Sequence, residues 1–309
     1  MSVVEPPGAT VAEGDLLGTR QAATLEGLGR PIKGPSALGS DPRRLWHLTW
    51  TLAKTEFKLA FFGSALGYLW QLMRPLLLFG VIYAVISTVI GKFASVPFYP
   101  VALLLGIVLF NFYSESSGGA VASLVTRENL VRKIEFPRLA VPLATVLTAL
   151  LNLCLNLIPV FIFLLAAGGS VRLSWLELPL LMILLACFTS GLGMILSVAY
   201  VRYRDVRPIW EVVLQMTFYA SPIFYPITRV HDVSVLGLRV NLAHVMMANP
   251  FVAILQQARH AVIDPAHPSA ASAIGGGAMI LIPIAITLAV VVIGFLVFDR
   301  EAPRVAEQL

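Results

Sequence analysis

The chain has 309 residues, 58% of them hydrophobic and 13% charged, with a mean hydropathy of +0.83. A soluble domain carries charge at about a quarter of its positions, so this composition excludes an ordinary soluble protein and points to lipid. The net charge is +5, but the basic residues gather at the ends of apolar stretches, which argues for a membrane and against nucleic acid as their partner.

Residues 1–42 lack an apolar signal core, and their PPG and GRPIKGPS stretches predict a disordered cytoplasmic tail. Residues 43–62, RRLWHLTWTLAKTEFKLAFF, are too charged to span a bilayer. On a helix His47, Thr51, Lys54, Thr55 and Lys58 share one narrow face, and apolar side chains cover most of the rest. That pattern predicts an amphipathic helix in the membrane interface, with Trp46 and Trp50 at headgroup depth and Lys54 and Lys58 towards phosphates. A soluble helix packed on a partner is the alternative. Glu56 falls on the apolar side and needs a protein partner.

A bilayer core about 30 Å thick needs roughly 20 apolar residues at about 1.5 Å each. Six stretches qualify: 69–91, 99–124, 139–167, 176–199, 209–228 and 278–298. They must be helices, because lipid offers backbone amides no other partner. With the N-terminus inside, the cytoplasmic flanks hold Arg43, Arg44, Lys54, Lys58, Arg127, Arg132, Lys133, Arg138, Arg202, Arg204, Arg207, Arg300 and Arg304, and the two short outer loops only Lys92 and Arg172. This positive-inside pattern predicts that both termini are cytoplasmic.

Within the spans, Arg74 can reach the cytoplasmic surface or pair with an acid of a neighbouring helix. Glu115 lies deep in the second span beside Ser114, Ser116 and Ser117 and must face protein or water, in a structural or a transport role. Cys154 and Cys187 read as small core residues. FYASPIFYPI (218–227) crowds aromatics around Pro222 and Pro226, where proline breaks the fifth span at its outer end; this is either broken backbone set against protein or a water-filled cavity, or an interfacial aromatic belt. Residues 251–263, FVAILQQARHAVI, have helical spacing and predict a short helix near or dipping into the outer leaflet.

No Gly-rich loop ending GK[ST] is present, and no HExxH or GxSxG; the five histidines have no ligand spacing. The chain is therefore predicted to be no enzyme and to bind no ATP, cofactor or metal of its own. A single deep acid is too little for a proton relay, which disfavours an ion-driven carrier.

FGSALGYLWQLMRPL (62–76), ENLVRKIEFPR (128–138), VRYRDVRPI (201–209), and FYASPIFYPI followed by NPFVAILQQAR (249–259) together resemble the ABC-2 type permease family, in particular the subunits that export O antigen, teichoic acid or cell-wall galactan. The resemblance covers residues 43–309 as one transmembrane domain. It implies an all-α integral membrane protein with six spans, short extracytoplasmic gate helices between spans five and six, and a homodimer in the bacterial cytoplasmic (inner) membrane. It implies two copies of a separate ABC ATPase that binds ATP and Mg, and a lipid-linked polysaccharide as cargo. In that family the loop after span two is a coupling helix seated in the ATPase. Here the positions are Glu128, Asn129, Leu130, Arg132, Lys133, Ile134, Glu135, Phe136 and Pro137, with Arg204 and Asp205 as a second contact. Leu130 and Ile134 give an apolar ridge at i, i+4 among charges, and Pro137 redirects the chain into span three.

Sugar rings have apolar faces that suit aromatic surfaces. The expected path and gate therefore comprise Tyr68, Trp70, Phe79, Tyr83, Glu115, Phe218, Tyr219, Pro222, Phe224 and Tyr225. Two rival readings are a permease of the same family for drugs or small lipids, and a membrane-embedded glycosyltransferase. The latter would need acids grouped at one membrane face to hold a metal, whereas the acids here are dispersed.

Overall fold

The computed structural model describes residues 42–61, 67–90, 96–131, 136–230, 233–235 and 238–308. The tail expected at 1–42 therefore lies, apart from Pro42, outside the described residues, as do Arg132, Lys133, Ile134 and Glu135.

Helix follows helix, as apolar stretches with few β-branched runs and many leucines favour. The long helices are α1 (Pro42–Phe61), α2 (Gly67–Val85, running into a π turn at Ile86–Ile90) and α3 (Tyr99–Thr126). After a four-residue turn of helix, α4 (Glu128–Val131), come α5 (Ala140–Ala166), α6 (Glu177–Arg202) and α7 (Val206–Ala220). A short antiparallel pairing of Val233–Val235 with Leu238–Val240 precedes α8 (Leu242–Met247), α9 (Pro250–Ala258, continued by a π turn at Arg259–Ile263), α10 (Ala270–Ala273) and α11 (Leu281–Gln308).

Among the described residues, five helical segments are long and apolar enough to cross a membrane: Leu69–Thr88, Tyr99–Thr126, Ala140–Ala166, Leu173–Arg202 and Gly277–Ala302. They match five of the six expected spans to within a few residues. The expected span 209–228 needs correction. Its helix stops at Ala220 after 15 residues, about 22 Å at ~1.5 Å per residue, because Pro222 can neither donate to nor fit a continuing helix. The chain continues as irregular backbone. Trp210 bonds to Ser117 of α3, Leu214 meets Gly118, Phe218 packs on Phe110, Ile223 abuts Gly106, and Phe224 accepts from Tyr99. Residues 210–224 thus run antiparallel to α3 from Ser117 to Tyr99, about 27 Å of its axis.

α3 is the hub. Leu103, Leu105, Ile107 and Phe112 are fully or almost fully buried, and they form the large core with side chains of α5, α6 and α9. α6 and α11 approach closely enough that a Cβ on Gly294 would lie 2.5 Å from the Gly191 carbonyl oxygen, the small-residue contact that lets membrane helices pack without a hydrophobic driving force. A second, smaller core closes the opposite end of the bundle from Tyr99, where Leu124, Val131, Val141, Met194, Val201, Phe298 and Ala302 meet.

One further reading changes. Cys154 and Cys187 are free thiols exposed on the bundle surface and not core residues; an apolar thiol is as compatible with lipid as with protein. The helix expected at 251–263 is present and packs into the bundle, with Phe251, Ile254, Leu255, Ala258, Val262 and Ile263 all buried inside protein. By contrast α2 and α11 leave Leu77, Val81, Val85, Leu288, Val292 and Leu296 exposed, apolar surface that suits lipid or a second copy.

Candidate functional site

The charged end of the bundle is assembled by side chains from three helices. Arg127, just past α3, pairs with Glu56 of α1, and Thr148 of α5 donates to the other carboxylate oxygen of Glu56 at 3.1 Å. This is the protein partner that Glu56 required. Burial pushes the Arg127 guanidinium down from its usual range, yet the adjacent carboxylate favours its charged form. The pair fastens α1 to α3 and α5, with Ala53 and Thr49 buried beneath it. Trp46, Lys54 and Lys58 remain exposed on the other side of α1. Trp46 stacks on Trp50 at 6.4 Å and Lys54 lies over the Trp50 ring.

The segment expected to dock an ATPase is held at both ends. Val131 is wholly buried in the small core, and Phe136 packs against that core. Pro137 and Arg138 are buried too. Arg138 donates to the Val131 carbonyl at 3.4 Å and to the Ala302 carbonyl of α11. Just before Val131, Asn129 is exposed, and Glu128 and Leu130 are half-buried. Arg204 and Asp205 lie exposed in the turn between α6 and α7, with the Arg204 guanidinium 5.1 Å from the Tyr200 ring centre. The elbow is thus fixed to α3, α5 and α11, so a force on it would reach three spans.

At the far end the broken backbone after Ala220 is gripped from inside. Arg259, 4% exposed, donates to the carbonyls of Pro222 and Ile223 at 2.6 Å each, and to Ala102 of α3 at 3.4 Å. These are carbonyls that proline-broken helix cannot satisfy itself, and in a membrane protein such backbone persists only where protein meets it. Burial pushes Arg259 down to about 10, so it stays charged at neutral pH. The next loop is sealed by His267 against the Pro97 carbonyl at 3.1 Å, by Gln256 donating to Pro268, and by Ser174 and Trp175 donating to Ala261 and Val262. Burial, and then the charge of Arg259, lower the His267 pKa.

The expected path residues fall into separate groups. On α2, Phe79 stacks on Tyr83 at 5.7 Å and tilts against Phe163 of α5, while Trp70 is 61% exposed; the side chain of Tyr68 lies outside the described ones. At the end of α7, Phe218, Tyr219, Phe224 and Tyr225 form a chain of edge-to-face rings, with Tyr219 exposed and Pro222 buried. Among the described residues no ring pair joins the two groups. Glu115 opens into a polar cavity between α2, α3 and α5 and accepts a hydrogen bond from Asn152.

Sequence reasoning missed Arg259, Asn152 and Asn156. The signals were present, since a lone arginine in FVAILQQARHAVI and an N-x-x-x-N pair in span 139–167 are both costly in an apolar setting unless partnered.

A model of the ABC-2 type transporter family matches residues 47–261. The O-antigen export system permease protein RfbA of Myxococcus xanthus is 28% identical over 205 residues, 66% of this chain and 76% of that one. RfbA of Klebsiella pneumoniae is 29% identical over 182 residues, 59% and 70% of the two chains. The polysialic acid transport protein KpsM of Escherichia coli is 23% identical over 213 residues, 67% and 78% of the two.

Proposed function

Because this chain belongs to the ABC-2 type transporter family and is a multi-pass membrane transport subunit of the polysaccharide-export kind, we propose that it is half of an ATP-driven exporter of a lipid-linked polysaccharide, working as a homodimer with two copies of a separate ATPase. The observation that carries this reading is the likeness to O-antigen and polysialic acid permeases across two thirds of the chain.

In this reading both termini are cytoplasmic, and six crossings are made by the five long helices together with residues 206–228. The last of these is a short helix completed by irregular backbone that Arg259 and Tyr99 hold in place. The ATPase, carrying ATP and Mg, seats the elbow at Glu128–Pro137 and touches Arg204 and Asp205. When ATP draws the two ATPases together, the elbow acts as a lever. Its ties to Ala302, to the small core and, through Arg127, to α1 pass the movement to the spans, and the interface between the two copies opens. The glycan enters from the inner leaflet beside α1, passes the aromatics of α2, and leaves past Phe218, Tyr219, Phe224 and Tyr225.

The docking step is tested by Glu128→Lys. One lost charge contact is worth about 1.4 kcal/mol, a tenfold loss in affinity, so recovery of the ATPase with the permease falls by about that factor and export falls with it. Unchanged recovery and unchanged export would refute the docking surface.

A further inference from the structure

A cavity of about 220 Å³ between α2, α3 and α5 is lined by Gln71, Arg74, Asn111, Ser114, Glu115 and Asn156, six polar side chains within three membrane-crossing helices. It is large enough for several waters or one sugar ring. Polar groups at this depth are expensive without a partner, and they mark ligand paths more often than scaffolding.

The hydrogen-bonding state of the wall says what kind of ligand fits. Asn156, 5% exposed, has a side-chain oxygen with no partner among the described residues. One turn earlier on α5, Asn152 is equally buried, and its orientation is fixed because its amide nitrogen donates to Glu115. Asn152 thereby orients the Glu115 carboxylate and does not itself line the cavity. An unmet buried acceptor costs about 1–3 kcal/mol; the Asn156 oxygen is closed to solvent as it stands, and a turn of its amide towards the cavity brings it to a ligand that donates. Inorganic phosphate or a lipid phosphate brings almost none and would face Glu115; a metal ion would face Arg74 with one carboxylate to hold it; an acyl chain would meet a polar wall. A polyhydroxyl ligand donates and accepts at every carbon, which matches one cation, one acid, amides and a hydroxyl. Trp70, exposed one turn before Arg74 on α2, adds an aromatic surface on the same stripe.

We propose that this cavity is a sugar-binding site within each single subunit, taking one monosaccharide unit of the passing glycan through its hydroxyls. The proposal rests on the reading that the cargo is a glycan.

The test is saturation-transfer NMR on the full chain in lipid nanodiscs, with methyl glycosides of common hexoses as probes and thermal unfolding recorded alongside. Wild type shows transfer; Asn156→Leu lowers it at least fivefold while the melting temperature stays the same or rises, because an unmet buried acceptor has been removed. Inorganic phosphate leaves the transfer unchanged. Should Asn156→Leu fail to fold, Gln71→Leu on α2 decides by the same criterion. Absence of transfer from every glycoside in wild type, equal transfer in the variant, or displacement by phosphate overturns the site. Depletion of the protein in cells separates this from the broader reading. If lipid-linked glycan still builds up inside while no glycoside binds, the cavity assignment alone fails; if none builds up, the export reading fails.

Discussion

Replacing Arg259 with Met removes the guanidinium that holds the broken end of the α7 segment while keeping an unbranched apolar stem. Two hydrogen bonds of 2.6 Å from a charged donor are lost, each worth about 1.5–3 kcal/mol. The third, at 3.4 Å, is too long to add much. The carbonyls of Pro222 and Ile223 stay buried without a donor, since both residues are closed off from solvent. Against this, the variant no longer buries a charge, which returns part of the loss. The net is about 3 kcal/mol, a drop of roughly 6–12 °C in melting temperature at ~2–4 °C per kcal/mol. Thermal unfolding in detergent measures the drop, and amide hydrogen exchange at residues 221–227 localises it. Arg259→Lys falls between wild type and Arg259→Met, because a point charge cannot fork across two successive carbonyls. Unchanged stability together with unchanged exchange at Ile223 and Phe224 would refute the reasoning.

Gly294→Leu forces a side chain against the Gly191 backbone and parts α6 from α11, costing on the order of 1–3 kcal/mol; thermal unfolding at wild-type level would show that this crossing is looser than described. His267 is held neutral by burial and by Arg259. Its folded pKa therefore lies below the unfolded value of about 6.5, the unfolded chain binds the extra proton, and stability is full above that pH and declines as the pH falls below it. His267→Gln flattens this part of the stability profile; an identical acid slope in wild type and variant would contradict it.

The spans were legible because a crossing helix has to be long and apolar, and α2, α3, α5, α6 and α11 declare themselves on that count. The stop at Ala220 was legible in kind, from Pro222, but not in consequence: a 20-residue apolar window looks like one helix until the backbone shows Arg259 taking over the carbonyls. Which face of an apolar helix meets protein and which meets lipid leaves little trace in composition, because both surroundings are apolar. That is why the sequence pattern of Cys154 and Cys187 reads as core although both thiols face outward. Glu56 stood out as a misplaced charge, but its partners, Arg127 and Thr148, are 71 and 92 positions away in the chain, a separation no local pattern encodes. The aromatics expected along the path and gate fall into two groups, Phe79 stacked on Tyr83 and an edge-to-face chain from Phe218 to Tyr225, a grouping that depends on side-chain packing and leaves no mark in spacing.

The central claim, that this chain carries a lipid-linked polysaccharide outward, is tested most directly by depleting it in its native cells and following labelled glycan. The account predicts that glycan attached to its lipid carrier accumulates on the cytoplasmic side while the surface pool declines. Depletion that leaves both pools unchanged would contradict it.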